Sequence, residues 1–234
     1  QKIDHPLLPK FYGTTKTNFI VIEYINGQTL NVAKNNLNEN EKIIIIYQIM
    51  LIIIYFHNEK MILRDLKPDN IMIDHMKNCV FIDFDRAFNA EENVSRDLGS
   101  FFVAPDLGNE KFSYECDIYS LGMIIYYLMF DNNPNNENCE YLKPIKQIYE
   151  LCIKKKPQER PNINDITNYY SIEYHSLIFK FCSDAVNNRL EKVNSNLRIE
   201  FQVRKNLTPE ENVYYGNLYY LGQEVPYDIN IAIY

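Results

Sequence analysis

The sequence predicts an α+β fold in which a few short strands accompany a larger number of helical residues. Strands are indicated by a β-branched and aromatic run at residues 19–24 and by two apolar runs, residues 71–73 and 80–82, on either side of a polar turn. Helices are indicated by an isoleucine-rich stretch at residues 43–56 and by later apolar stretches that begin near residues 117, 145 and 163. With 234 residues and 46% hydrophobic content, the chain can bury a substantial core.

Composition and charge limit the classes of partner and the cellular compartment that we expect for this protein. The formal net charge of −7 argues against nucleic acid or an anionic membrane as a partner. Five scattered cysteines without a C-x-x-C pair are typical of reduced thiols, so we expect a cytoplasmic protein. The apolar run at residues 43–56 is too short to cross a bilayer and contains Gln48, so we interpret it as a buried core helix.

The most informative stretch is residues 61–84, where a polar loop lies between apolar runs. It reads M-I-L-R-D-L-K-P-D-N-I-M-I-D and continues after a polar turn as V-F-I-D-F. Phosphoryl transfer requires a carboxylate near the attacking hydroxyl, a cation near the moving phosphoryl group and oxygen ligands for Mg²⁺. The loop and the end of the next apolar run supply these groups as Asp65, Lys67, Asn70 and Asp83.

The spacing of these residues predicts a shared metal site. A hairpin formed by residues 71–73 and 80–82 would bring Asn70 and Asp83 together at its open end. Mg²⁺ takes only one or two protein oxygens, because phosphates and waters complete its shell, so these two ligands suffice. A solvated charged turn is the alternative interpretation, and the complete R-D-L-K-P-D-N pattern with D-F beyond the hairpin disfavours it.

This stretch resembles the catalytic loop and metal-binding motif of a protein kinase, and Lys67 makes it similar to the serine/threonine branch. The resemblance implies that Asp65 orients and deprotonates the substrate hydroxyl and that Lys67 neutralises charge on the transferred phosphoryl group. It also implies that Asn70 completes the catalytic loop and holds Mg²⁺ together with Asp83. The implied cofactors are ATP and Mg²⁺, and the implied partners are protein substrates.

A second segment, F-I-V-I-E-Y-I-N-G-Q-T-L, resembles the last small-lobe strand and the hinge of a kinase. On that resemblance Ile22 is the gatekeeper, and the backbones of Glu23 and Ile25 face the adenine edge. Adenine needs one backbone acceptor and one donor on an apolar shelf. The full set of ATP-binding candidates that the resemblance implies is Ile22, Glu23, Ile25, Met72, Ile82 and Asp83.

The kinase resemblance covers residues 1–170, which we expect to hold the end of the small lobe, the hinge and the large lobe. Within it Asp117 opens a helix like the central helix of the large lobe, whose Asp braces the catalytic loop. The glycine loop, strand Lys and helix Glu of the small lobe have no counterpart in the sequence. We therefore expect an N-terminally truncated kinase domain that is inactive by itself, followed by a helical linker at residues 171–206.

Residues 207–234 have a different signature. Their glycines and aromatic residues resemble a partial Sel1-like repeat, matched at Gly216, Tyr219, Gly222, Val225, Asp228 and Ala232. Such repeats are α-helical and stack into solenoids that bind protein partners. An amphipathic tail helix is the alternative interpretation.

Two departures from the family pattern leave two functions open. Asp85 takes the place of the glycine in D-F-G, and Leu63 takes the place of the usual His before Arg-Asp. Glycine allows backbone angles that other residues reach only at a cost, so Asp85 bears on activity. The first hypothesis is an ATP-dependent protein serine/threonine kinase, and the alternative is a pseudokinase scaffold whose Sel1-like repeats bind protein partners.

Overall fold

The computed structural model describes residues 5–17, 19–90, 102, 104, 113–131 and 139–183. These residues form an α+β structure, as the sequence predicts. The Sel1-like segment at residues 207–234 and residues 184–206 of the expected linker lie outside the described residues.

The strands in the described part of the chain are short and all pair antiparallel. Strand β1 (Phe11–Thr14) pairs with β2 (Ile20–Ile22), which is the central part of the run predicted at residues 19–24. A three-stranded sheet has the order β3 (Gly27–Thr29), β5 (Ile71–Asp74) and β6 (Cys79–Phe81). A third pair joins β4 (Met61–Ile62) to β7 (Phe88–Asn89).

The predicted hairpin is confirmed as the β5–β6 pair. Its register places Ile71 opposite Phe81 and Ile73 opposite Cys79, and all four side chains are buried. Met72, between the two buried isoleucines, is only half-buried. Because side chains alternate between the faces of a strand, one face of this hairpin lies on the core and Met72 lies on the other.

The helices of the described residues are α1 (Leu30–Ala33), α2 (Glu39–Asn58), α3 (Glu115–Met129), α4 (Lys143–Cys152) and α5 (Ile163–Glu173). Residues 175–183 are also helical. Each later apolar stretch of the sequence therefore forms a helix, and α3 and α4 each begin two residues before the predicted positions 117 and 145, whereas α5 begins at residue 163 as predicted.

Helix α2 is the centre of the core. It begins with a capping box in which Asn38 Oδ1 accepts the Glu41 N–H at 2.9 Å and Glu41 Oε2 accepts the Asn38 N–H at 2.8 Å. The helix is long and apolar enough to meet the length and composition criteria of a membrane span, yet most of it is buried inside the protein. Gln48, fully buried, bonds to Lys77 O and to the Cys79 N–H, so its polar amide is satisfied within the core.

Helices α3 and α4 approach closely at Gly122. A Cβ atom at this position would lie 2.7 Å from Cys152 Cβ and 2.9 Å from Ile153 Cγ2. Only glycine therefore fits the crossing without a shift of α4.

Helix α5 closes the other side of α2, and the core continues past residue 170. Tyr170, Tyr174, Ile178 and Cys182 are all buried in the same hydrophobic cluster as α2. The Tyr170 hydroxyl donates to Ile43 O at 2.9 Å, which ties α5 to the first turns of α2. The packed region thus includes residues 171–182, beyond the kinase–linker boundary expected at residue 170.

We expect Tyr170→Phe to lower the free energy of unfolding by about 1 kcal/mol, because it removes a buried hydrogen bond and leaves Ile43 O without the phenol donor. The measurement is urea denaturation followed by circular dichroism. The matched control is Tyr169→Phe, whose hydroxyl donates to Gln147 Oε1 at an exposed position and whose loss we expect to cost less than about 0.5 kcal/mol. Equal losses in the two variants would contradict the structural role of the Tyr170 bond.

Candidate functional site

A buried carboxylate, Asp117, holds the start of the polar loop. Its Oδ2 accepts the Leu63 N–H at 2.9 Å and its Oδ1 accepts the Arg64 N–H at 2.9 Å. His57 Nε2 lies 2.9 Å from Oδ2 as well. Asp117 has no exposed surface, and a buried carboxylate is tolerable only when such partners replace water.

The backbone reverses direction at Arg64, which has a φ of 67°. This left-handed conformation is costly for a residue other than glycine, so the surrounding structure must stabilise it. The bond from the Arg64 N–H to Asp117 and the bond from the Asp65 N–H to Leu63 O at 2.8 Å do so. As a result, the chain leaves β4 and turns sharply into Asp65.

Asp65, Lys67 and Asn70 converge, as the sequence predicts for a D-x-x-x-x-N loop. Lys67 Nζ lies 2.7 Å from Asp65 Oδ2. Asn70 Nδ2 donates to Asp65 O at 2.9 Å and to Asp65 Oδ2 at 3.1 Å. Asp65 is 7% exposed, so its carboxylate is largely shielded from bulk water.

The hairpin brings Asp83 to this loop. The Ile82 N–H donates to Asn70 O at 3.0 Å, which puts Asp83 one residue beyond the end of the loop. The Asp65 carboxylate contributes to the raised pKa of Asp83, so the two negative charges act on each other. The predicted neighbourhood of Asn70 and Asp83 is therefore present in the backbone.

Asp83 has a raised pKa, and partial burial is the largest cause. The side chain of Asp85 raises the pKa of Asp83 further, both as a hydrogen-bond partner of the protonated form and as a negative charge. The Asp85 backbone N–H acts in the opposite direction, because it donates to the ionised carboxylate. Positive φ among the described residues other than glycine occurs at Lys60, Arg64 and Lys77, so Asp85 does not adopt the left-handed conformation.

The donor set fits a hard divalent cation. Both protons of the Asn70 amide are directed at Asp65, so the amide oxygen is left as a possible metal ligand. Asp83 and Asp85 add two carboxylates whose mutual repulsion a cation would relieve. No group of three or more His, Cys, Asp or Glu side chains converges in the described residues, and Mg²⁺ does not need one when phosphate oxygens and waters complete its shell.

The hinge candidates lie at the end of β2. The Glu23 N–H donates to Lys10 O at 2.8 Å, which leaves its carbonyl as the group that can accept from an adenine. Ile22 is 43% exposed, and Ile25, Met72 and Ile82 are half-buried. Strand β3 follows this segment and places Thr29 opposite Met72, so the predicted hinge leads directly onto the β5–β6 hairpin.

Sequence reasoning missed two side chains at the site. His57 reaches Asp117 from the end of α2, and Arg86 Nε lies 3.9 Å from Asp65 Oδ2. Both contacts join residues more than 20 positions apart, so no local spacing signals them. The register of the two-residue strands β4 and β7 is what places Arg86 beside the loop.

A third polar group links the loop to α1 and α3. Asn31 Nδ2 donates to Asp69 Oδ1 at 3.0 Å, and the Tyr127 hydroxyl donates to Asn31 Oδ1 at 2.6 Å. Lys34 Nζ lies 3.7 Å from the centre of the Tyr127 ring and 2.8 Å from Asp131 Oδ2. These contacts fix Asp69, and with it the loop between Lys67 and Asn70, against the helical part of the fold.

Comparisons with known proteins agree with this geometry. The family model described as "protein kinase domain" matches residues 1–199. A probable serine/threonine-protein kinase KIN1 homolog of Enterocytozoon bieneusi is 33% identical over 172 residues, which are 67% of this chain and 29% of that protein. Calcium-dependent protein kinase 6 of Plasmodium berghei is 32% identical over 191 residues, 68% of this chain and 13% of that protein.

Maternal embryonic leucine zipper kinase of Xenopus laevis is 33% identical over 153 residues, 59% of this chain and 23% of that protein. In each of these three cases the match spans less than a third of the relative's length.

We expect Asp85→Gly to lower the pKa of Asp83 towards its ordinary value, because the variant removes the neighbouring carboxylate but keeps the burial. A Mg²⁺ ion held by Asp83 would require the ionised carboxylate, so Mg²⁺ affinity should fall on acidification through this pKa, and should do so at lower pH in the variant. Titration of the Asp83 carboxyl carbon by NMR, with and without Mg²⁺, measures both effects.

Asp85→Asn is the matched variant, since it removes the charge and keeps a side chain. We expect it to shift the Asp83 titration in the same direction as Asp85→Gly. An unchanged Asp83 titration in both variants would contradict the assigned role of the Asp85 carboxylate.

Proposed function

The chain belongs to the protein kinase family, and we propose that the whole protein transfers the γ-phosphoryl group of ATP to serine or threonine hydroxyls of proteins. The observation that carries the proposal is the convergence of Asp65, Lys67 and Asn70, with Lys67 Nζ 2.7 Å from Asp65 Oδ2. A base, a cation and an amide oxygen are thereby within one short loop, next to the carboxylate of Asp83. These are the groups that phosphoryl transfer requires.

In the proposed reaction Asp65 is the general base. Its carboxylate orients the acceptor hydroxyl and takes the hydroxyl proton as the oxygen forms its bond to the γ-phosphorus and the bond to the β–γ bridging oxygen breaks. The buried Asp117 network positions Asp65, because it fixes the two amides that precede it. A base held within hydrogen-bond reach needs no rearrangement at the moment of reaction.

Lys67 supplies positive charge beside the base. With its Nζ 2.7 Å from Asp65 Oδ2, it lies where the acceptor oxygen and the transferred phosphoryl group must meet. A fixed cation at that point stabilises the charge on the phosphoryl oxygens in the transition state. Lys67 also supports serine/threonine acceptors, as does the name of the Enterocytozoon relative.

Asn70 and Asp83 would hold Mg²⁺. When bound, the ion would neutralise negative charge on the phosphate oxygens. Asp85, in place of the D-F-G glycine, leaves the backbone outside the left-handed region and contributes a backbone N–H to Asp83. These two features support a metal site that works with Asp85 present.

The second candidate function is a pseudokinase scaffold. It is favoured by the Asp85 carboxylate, which raises the pKa of Asp83 and thus opposes the ionised form that a metal would need. In this alternative the fold is a platform, and the Sel1-like segment at residues 207–234 binds protein partners. Metal-dependent phosphotransfer discriminates the two candidates, because a scaffold has none.

The five cysteines support a reducing, cytoplasmic compartment for the proposed kinase. All are free thiols and four of them are buried. Burial raises the pKa of Cys79 and of Cys182, the latter to about 12, so these thiols stay protonated and unreactive.

We expect Asp65→Asn and Asp83→Asn each to lower phosphotransfer by at least about 100-fold, because one removes the base and the other a metal ligand. The assay is transfer from radiolabelled ATP with Mg²⁺ to a generic serine/threonine substrate, using the full-length protein. Asp165→Asn, at an exposed position in the first turn of α5, is the control and should keep its activity.

Wild-type activity that survives Asp65→Asn would overturn Asp65 as the base. Phosphotransfer absent from the wild-type protein, with purified partners still bound by it, would favour the scaffold.

A further inference from the structure

We propose that Arg86 is a specificity residue that recognises a carboxylate side chain next to the acceptor serine or threonine of the substrate. This inference rests on the proposed function, because Asp65 marks the place of the acceptor hydroxyl only if it is the base. The substrate class would therefore be protein segments with Glu or Asp adjoining the phosphorylated residue.

The backbone puts Arg86 at the acceptor side of the site. Strands β4 and β7 pair antiparallel with Ile62 opposite Phe88, so the residues just before β7, Arg86 among them, run past the residues just after β4, where Asp65 lies. A turn closed by the bond from the Ala87 N–H to Phe84 O, 3.1 Å long, presents Arg86 at its corner. The backbone position of Arg86 thus follows from strand pairing and a turn, and its side chain extends from there to within 3.9 Å of Asp65 Oδ2.

Asp65 does not occupy the hydrogen-bond donors of the Arg86 guanidinium. Oδ2 of Asp65 already has Lys67 Nζ at 2.7 Å and Asn70 Nδ2 at 3.1 Å. Arg86 Nε lies 3.9 Å from the same oxygen, which is beyond hydrogen-bond distance. The Arg86 side chain is 45% exposed, so a guanidinium with five donors is presented to an incoming molecule.

The distances make the neighbouring substrate residue the natural partner. The acceptor hydroxyl must come within about 3 Å of Asp65 for proton transfer. In the substrate peptide, the Cα of an adjoining residue lies about 3.8 Å from the Cα of the acceptor residue. The side chain of that adjoining residue can therefore reach Arg86, whose Nε lies 3.9 Å from Asp65 Oδ2. A carboxylate there can pair with the planar fork of Arg in two parallel hydrogen bonds, whereas a Lys side chain would be repelled.

An acidic substrate also needs a positive group near Asp65. Asp65, Asp83 and Asp85 make the loop region negative, and Asp83 is affected by both of the others. A substrate carboxylate would be repelled by this field unless a positive group met it locally. Arg86 and Lys67 are positive groups within 4 Å of Asp65, and Lys67 is already paired with it.

The test uses three peptides that differ only beside the acceptor serine, with Gln, Glu or Lys on both flanking positions. We expect wild-type protein to prefer the Glu peptide to the Gln peptide about fivefold in kcat/KM, mainly through KM, and less so at high salt. Arg86→Gln should bring this ratio to about one, and Arg86→Glu should reverse the order in favour of Lys.

Lys77→Gln is the matched control. Lys77 Nζ forms a similarly loose pair, 3.8 Å from Glu41 Oε1, and its side chain is 41% exposed. It lies at the turn end of the β5–β6 hairpin, away from Asp83, so the Glu/Gln ratio should stay at the wild-type value. A ratio of one in the wild-type protein, or a ratio that Arg86→Gln leaves unchanged, would overturn the proposal.

Binding separates this inference from the proposed function. The same peptides with Ala in place of the acceptor serine, labelled and followed by fluorescence anisotropy, report recognition without chemistry. Tighter binding of the Glu peptide that Arg86→Gln abolishes supports the inference even if the protein transfers no phosphate. A uniform loss of kcat on all peptides, with the ratio intact, overturns it and assigns Arg86 to the phosphoryl group instead.

Discussion

The carboxylate of Asp117 is the interaction on which the geometry of the site depends. It lies fully buried near the start of α3 and accepts hydrogen bonds from two consecutive amides, Leu63 and Arg64. Those bonds compensate the left-handed backbone of Arg64 and direct Asp65 towards Lys67 and Asn70. One side chain from the helical region thus sets the conformation of a loop more than 50 residues earlier in the chain.

The rest of the fold supports this loop from two sides. Helix α2 supports the hairpin, because its buried Gln48 accepts a hydrogen bond from the Cys79 N–H at the start of β6. The β5–β6 hairpin then returns the chain to Asn70, so that Asp83 follows the loop closely in space. Because the loop is tied to α2, α3 and the hairpin together, its polar groups can stay near one another without a bound ligand, as catalysis by positioning requires.

The parts of the fold that the sequence predicts are those with a local signal. The D-x-x-x-x-N loop, the hairpin and the isoleucine-rich helix each lie within about 25 consecutive residues, and their period or spacing is visible directly. The isoleucine-rich stretch predicts a helix over residues 43–56, whereas the structure begins the helix at Glu39 with Asn38 as its cap. The N-x-x-E pattern of Asn38 and Glu41 is the signal that identifies the correct cap.

No local sequence pattern indicates the contacts between residues that are far apart in the chain. Strands β4 and β7 have two residues each, too few for any alternation to appear, and they exist only because tertiary structure brings them together. The approach of His57 to Asp117 and of Arg86 to Asp65 depends on that packing. The resemblance to kinases supplied Asp117 itself, since nothing in its local sequence indicates which amides it would hold.

Native-state hydrogen exchange in Asp117→Asn tests most directly whether this carboxylate sets the loop. An Asn side chain offers one acceptor oxygen where Asp117 offers two, so one of the two amides must lose its partner. We predict that protection of at least one of the Leu63 and Arg64 amides falls by at least about tenfold, because a lost bond to a charged acceptor is worth about 1.5 kcal/mol or more. The Cys79 amide, held by Gln48, should keep its protection. Unchanged exchange at both Leu63 and Arg64 would contradict the central role of Asp117.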